Sequence, residues 1–210
     1  MELKRVVITG VGALTPIGNN KDDYWSNLEK GLNGAGPITR FDPEKFRTKF
    51  ACELKNFDIL DHLNRKEVRK MDPNTQFGMV VGEEAVKDCG INLDTLDKDS
   101  VGVIWGSGIG GLKTFQDEAI AYALGDGTPR FNPFFIPKMI IDITPGLLSI
   151  KYGFRGPNYA TVSACASSNH AIYDSFTYIR LGKSKMMLTG GSEAGVQVAS
   201  MGGFNAMKAL

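Results

Sequence analysis

Apolar runs punctuated by glycine give this chain its first legible pattern. "RVVITGVGA" at residues 5–13 is a continuous apolar run and predicts a buried strand, and "DDYWSNLEKGL" places Tyr24, Trp25 and Leu28 at helical spacing. From Gly31 to about Leu63 the pattern is irregular. "RKEVRKMDPNTQFGMVVGEEAVKDCG" then predicts two helical pieces separated near Pro73, the second stopping at Gly90. "SVGVIWGS" predicts a short, fully apolar strand, "LKTFQDEAIAYALG" a helix and "DGTPRFNPFFIPK" a proline-rich loop. "MIIDITPGLLSIKYG" is helical despite Pro145, "RGPNYATVSA" a strand, "CASSNHAIYDSFTYIRLG" a helix, "SKMMLTGGSEAG" a strand, and "VQVASMGGFNAMKAL" begins another helix. Strand followed by helix, repeated without a linker or low-complexity tract, predicts one α/β unit.

Composition narrows the function classes. The chain is 42% hydrophobic and 22% charged, ordinary values for a globular protein, and 24 Lys and Arg stand against 23 Asp and Glu. A formal charge of +1 supplies no global field toward nucleic acid or an anionic membrane, so a charged partner must be recognised locally. The three cysteines, Cys52, Cys89 and Cys165, are odd in number and far apart, which fits neither a disulfide framework nor a metal cluster and points to a reducing compartment. The basic, apolar start imitates a signal peptide, but Gly10, Gly12, Pro16 and Gly18 interrupt it. No apolar run approaches the roughly 18 residues of a membrane span, and the expectation is a cytoplasmic protein.

Gly106, Gly108 and Gly111 in "GSGIGG" have the G-x-G-x-x-G spacing between a strand and a helix. Asp126, twenty residues after Gly106, falls in the turn "LGDGTP" with no second strand to deliver it to a ribose. The reading is a tight strand-to-helix turn in preference to a dinucleotide site.

Cys165 lies where "NYATVSACASSNHAIYDSF" passes from strand to helix, flanked by Ser163, Ala164, Ala166, Ser167 and Ser168. A buried structural thiol is the ordinary role of a lone cysteine. Here small neighbours leave room for a substrate, a sharp turn would project the side chain, and a helix starting at Cys165 would favour thiolate over thiol. Its unpaired N–H groups could also hold an oxyanion. The balance favours a nucleophile, yet neither histidine offers itself as a base. His170 is turned away on the same helix, about 140° from Cys165 at 3.6 residues per turn, and His62 sits in the polar connection "LDHLNRK".

The motifs "KRVVITGVGALTPIGNN", "RKMD", "GSGIGGL", "NPFFIP", "GFRGPNYA", "SACASS", "GGSEA" and "GGFNAMKAL" run from end to end of the chain. Through them it resembles the β-ketoacyl-acyl carrier protein synthases, most closely the elongating type II branch. The resemblance implies a thiolase-like layered α/β fold, with a mixed sheet flanked by helices. Residues 1–210 would form most of its N-terminal half, ending before the last strand, and the catalytic histidines, a lysine and a gating phenylalanine would belong to the other half. It implies that Cys165 accepts an acyl group from acyl carrier protein, before decarboxylative condensation with malonyl-carrier protein, without metal or redox cofactor. Ile109, Phe135 and Phe204 match acyl-tunnel positions; Lys66, Arg69, Lys70 and, less closely, Arg130 match carrier-docking positions. A homodimer is implied, and neither nucleic acid nor membrane is an implied partner. Two other readings stay open: a ketosynthase of polyketide or aryl polyene assembly, and a non-catalytic dimerisation fragment.

Overall fold

The computed structural model describes residues 3–210. Asn20 starts the first helix, α1 (Lys21–Glu29), by accepting from the N–H groups of Asp22 and Asp23, although Trp25 and Leu28, the expected inward stripe, lie exposed. The irregular stretch contains a short antiparallel ribbon of β1 (Gly36–Pro37) and β2 (Phe50–Ala51), then a 3-10 turn at Ile59–Asp61. The short helix α2 (Arg65–Val68) begins in a reciprocal capping box between Asn64 and Glu67. The longer α3 (Pro73–Asp88) begins with Asp72 as cap and proline at its first position, and the chain turns out of it through Gly90 at φ +63°.

Six buried residues make up β3 (Val101–Gly106). It is followed by α4 (Leu112–Ala123), α5 (Phe135–Met139), α6 (Ile143–Tyr152) and β4 (Asn158–Thr161). A 3-10 turn at Ala164–Ala166 leads into α7 (Ser167–Arg180), β5 (Met186–Gly191) and α8 (Val198–Ala206). The expected proline-rich loop thus contains a short helix, because Asn132 accepts from Phe134 N–H through its side chain and from Phe135 N–H through its carbonyl, each at 2.8 Å. Pro137 and Pro145 occupy the first turns of α5 and α6, where an N–H has no intrahelical acceptor to lose.

The core sheet has three parallel strands with β3 between β4 and β5, so parallel and antiparallel pairing occur in separate sheets. Gly106 of β3 pairs with Thr161 and Gly191, which brings the carboxyl ends of all three strands level. Alternation sends Val101, Val103 and Trp105 to one face, where they pack with Met79 of α3 and Leu148 of α6. On the other face α7 packs along β3 and β5. It approaches closely at its start: a Cβ on Gly106 would fall 2.4 Å from the Ser167 carbonyl carbon. A β-strand buried on both faces reads as a continuous apolar run, which is how β3 could be seen in the sequence.

The expected first strand is not formed. Residues 5–13 join no sheet, and Ile8 is 85% exposed. Their amides go to carboxylates on α3 instead: Val11 N–H donates to Asp88 at 2.9 Å and Ala13 N–H to Glu84 at 2.8 Å. Gly10 and Gly12 permit this approach, since added Cβ atoms would lie 2.4 Å and 2.2 Å from the Ala85 and Val81 carbonyl oxygens. The Val11 amide, with Lys21 adding to it, holds the Asp88 carboxyl below its usual range.

Candidate functional site

The level carboxyl ends of the parallel strands form a shelf, the place where an open α/β sheet ordinarily binds ligands. Past Thr161 the chain turns through Ser163 and Ala164 and presents Cys165 in the 3-10 turn, immediately before α7. The helix therefore starts two residues later than expected, and the exposed thiol stands in front of its first turn.

Ala164 holds φ +51°, left-handed backbone that a residue with a Cβ adopts at a cost of about 1–2 kcal/mol. The polar residues around it fix that conformation. Ser163 N–H donates to Ser167 Oγ at 2.9 Å, Ser167 Oγ donates to the Ala164 carbonyl at 2.7 Å, and Thr161 Oγ1 donates to the Ser167 carbonyl at 2.8 Å. The serines flanking Cys165 thus brace the turn that carries it.

Beside this turn runs the glycine-rich loop after β3. Gly108 lies against Ala164, where an added Cβ would be 3.3 Å from the carbonyl oxygen. Gly110 adopts φ +78°, the left-handed turn expected of a strand-to-helix connection. The N–H groups of this loop converge on one acceptor, the Glu193 carboxylate just after β5. Gly108 N–H donates to it at 2.6 Å, Ile109 N–H at 3.0 Å and Gly110 N–H at 3.3 Å. Glu193 lies in the "GGSEA" motif of the sequence, which by itself assigned it no role.

The expected acyl-site residues lie on three different elements. Ile109 sits in the loop beside the turn that carries Cys165, 42% exposed. Phe135 opens α5 and stands in a ladder of rings, 5.3 Å from Phe131 and 6.4 Å from Phe115. Phe204 lies on α8, 37% exposed. Two clefts, of about 130 Å³ beside Cys52 and Glu193 and about 510 Å³ beside His62 and Glu84, do not include Cys165.

The basic positions are exposed: Lys66 is on α2, Arg69 caps its end, and Lys70 follows. Lys70 places its ammonium 5.6 Å from the centre of the Phe134 ring, joining the basic patch to α5. Arg130 is separate, paired to Asp126 at 3.2 Å. The Thr128 amide chiefly, with Arg130 contributing less, holds the Asp126 carboxyl below its usual range. Of the two histidines, His62 stacks on Phe57 at 5.2 Å and His170 lies against Ser163. No cluster of three or more His, Cys, Asp or Glu side chains suited to a metal ion occurs among the described residues, and none of their helices is long and apolar enough to cross a membrane.

Comparison with known proteins matches residues 3–210 to the family model "Beta-ketoacyl synthase, N-terminal domain". The chain is 43% identical over 210 residues to a 3-oxoacyl-[acyl-carrier-protein] synthase 2 of Synechocystis sp. and 45% identical over 207 residues to one of Staphylococcus aureus. These alignments cover 100% and 99% of the chain and 50% of each relative, so the chain spans about half the length of the curated relatives it matches. A solved ishigamide ketosynthase/chain length factor superposes with a TM-score of 0.91 at 25% identity, covering 99% of this chain and 52% of the other. A type II polyketide ketosynthase, solved with its acyl-carrier protein and bound to the hexaketide, superposes with a TM-score of 0.83 at 26% identity over 98% of this chain and 55% of that one.

Proposed function

The chain belongs to the beta-ketoacyl synthase family, as its N-terminal domain, and from that premise we propose that it carries the acyl-accepting nucleophile and a carrier-facing surface of a 3-oxoacyl-acyl carrier protein synthase of fatty acid elongation. The observation that carries this reading is the exposed Cys165 in a braced turn at the carboxyl ends of the sheet. In the first step the Cys165 sulfur attacks the carbonyl carbon of an acyl-carrier thioester. The carrier thiol leaves with the proton, and the acyl group is held as a Cys165 thioester. In the second step malonyl-carrier thioester loses carbon dioxide, and the electron pair of the broken bond becomes the enolate carbon that attacks the Cys165 thioester. A carbon–carbon bond forms and the Cys165 sulfur departs. Covalent capture divides one difficult bond formation into two easier steps.

In this reading Ile109 and Phe135 border the acyl chain, with Phe204 on a separate element. Lys66, Arg69 and Lys70 meet the carrier, with Arg130 a weaker member because Asp126 occupies it. The assembly is a homodimer, and no metal or cofactor enters either step. The groups that activate the malonyl thioester are assigned to a second half of the protein. The identities of 43–45% to 3-oxoacyl-[acyl-carrier-protein] synthases, against 26% to the type II polyketide ketosynthase, favour fatty acid elongation over polyketide assembly.

The test is mass spectrometry of the chain after incubation with acyl-carrier protein, with Cys165→Ala as control. The expected outcome is one acyl adduct confined to the Cys165 peptide. A longer protein containing this chain and a second half should then release 3-oxoacyl-carrier product when malonyl-carrier protein is added. Adducts at Cys52 or Cys89 that persist in Cys165→Ala would overturn the assignment.

A further inference from the structure

We propose that Glu193 is a positioning residue: its carboxylate fills the nest of backbone N–H groups at Gly108, Ile109 and Gly110 and so holds Ile109 and the nucleophile turn in one arrangement. Three successive amides and the Ser107 hydroxyl all donate to this one side chain, which arrives from a different strand, 83 to 86 residues along the chain. A convergent set of backbone N–H groups is an anion-binding concavity, and glycine-rich loops with this spacing ordinarily offer it to a phosphate. Here the anion is internal. The pairing of Gly106 with Gly191 brings the end of β5 level with the end of β3, so that Glu193, two residues on, reaches under the loop.

The arrangement bears on Cys165 through direct neighbours. Gly108 packs against Ala164, so the loop fixed by Glu193 forms one wall of the turn presenting the thiol. Ser107 is buried and its hydroxyl also accepts from Gly110 N–H at 3.1 Å, which closes the nest. Removing the carboxylate leaves the Gly108 and Ile109 amides without their acceptor, and Gly110 with only the Ser107 hydroxyl, in a loop whose glycines allow many other conformations. The Ile109 side chain then loses its fixed direction. Its consequence for acyl selection rests on the reading of Cys165 and Ile109 given above.

The experiment compares the chain with its Glu193→Ala and Glu193→Gln variants. In Glu193→Ala, the amide resonances of Gly108, Ile109 and Gly110 should move or broaden. Sodium formate, a free carboxylate small enough for the vacated nest, should return them toward their original positions, whereas sodium chloride at equal ionic strength should not. The ratio of Cys165 acylation by medium-chain and short-chain thioesters should change about tenfold in Glu193→Ala and recover with formate. Glu193→Gln, which keeps one acceptor oxygen and the side-chain shape, should fall between, and it decides the question should the alanine variant fail to fold. Unmoved resonances, or an unchanged chain-length ratio in both variants, would overturn the proposal. If the unaltered chain takes up no acyl group, the functional reading has failed, and the formate-dependent resonances alone judge the role of Glu193.

Discussion

The hydroxyl of Ser163 lies 2.6 Å from Nδ1 of His170, across the turn that carries Cys165. With Ser167 bound to both Ser163 N–H and the Ala164 carbonyl, α7 holds its own approach segment from two successive turns. This gives His170 a hydrogen-bond partner within the turn that carries Cys165.

His170→Ala should therefore slow alkylation of Cys165 by iodoacetamide less than about tenfold, and Ser163→Ala should reproduce most of that effect. Loss of a general base costs about 10²–10⁴-fold. Peptide mapping over time measures all three cysteines together: Cys165 should label fastest, and Cys89, whose Sγ donates to the Val86 carbonyl at 3.1 Å, slowest. A fall of two orders or more confined to His170→Ala would make it the base.

Asp72 is only 1% exposed, and its carboxylate ties α3 to α4. One oxygen accepts from Asn74 N–H at 3.0 Å, the other from the Thr114 N–H at 2.9 Å and its hydroxyl at 2.7 Å. Asp72→Ala leaves these buried donors unpaired and should cost about 2–4 kcal/mol in chemical denaturation. Combined with Thr114→Val, the double-mutant cycle should show a coupling of about 1–3 kcal/mol. Strict additivity would show that the two helices are joined by other contacts.

Reversing the basic patch with Lys66→Glu, Arg69→Glu and Lys70→Glu should weaken carrier-protein association and flatten its salt dependence while the unfolding midpoint shifts by less than about 1 kcal/mol equivalent. Exposed charges steer encounter more than they stabilise a fold. Lys70→Gln alone tests the contact with Phe134, which should add about 0.5–1 kcal/mol at an exposed site. Unchanged carrier affinity in the triple variant would leave the patch a solvated face.

Burial by itself would raise the Glu83 carboxyl, but hydrogen bonds from Lys151 and Lys87 outweigh it and hold it below its ordinary 4.5. A carboxyl depressed in the folded state contributes stability above its unfolded value and loses it as pH falls through the folded value. Stability should accordingly decline below about pH 4.5, and Glu83→Gln should flatten that limb of a pH series of denaturation midpoints. Parallel acid limbs in the two proteins would contradict this.

Elements whose burial is complete, or whose ends are chemically marked, were legible before any coordinates. The apolar run at Val101–Gly106 declares a strand covered on both faces, and Asp72, Pro73 and Gly90 punctuate α3 by cap, first-turn proline and left-handed exit. The first segment misled because an apolar run states that residues can be buried, without stating what will pair with their backbone. Here Glu84 and Asp88 took its amides. The short α5 was hidden by prolines that suit a loop and a first helical turn equally well.

By itself the sequence determined the α/β class, the place of Cys165 at a strand-to-helix turn and the family resemblance, because these depend on local propensity, small-residue spacing and motif order. The tertiary structure alone decided that the glycine loop is filled, and by what. Glu193 lies more than 80 residues from the amides it caps, and no periodicity links the two segments. The parallel register of β3 with β5 makes them neighbours, since level strand ends deliver a carboxylate to the one loop whose N–H groups converge. The left-handed Ala164 follows the same logic: its local preference opposes that backbone, and hydrogen bonds from Ser163 and Ser167, set against a helix packed on Gly106, override it.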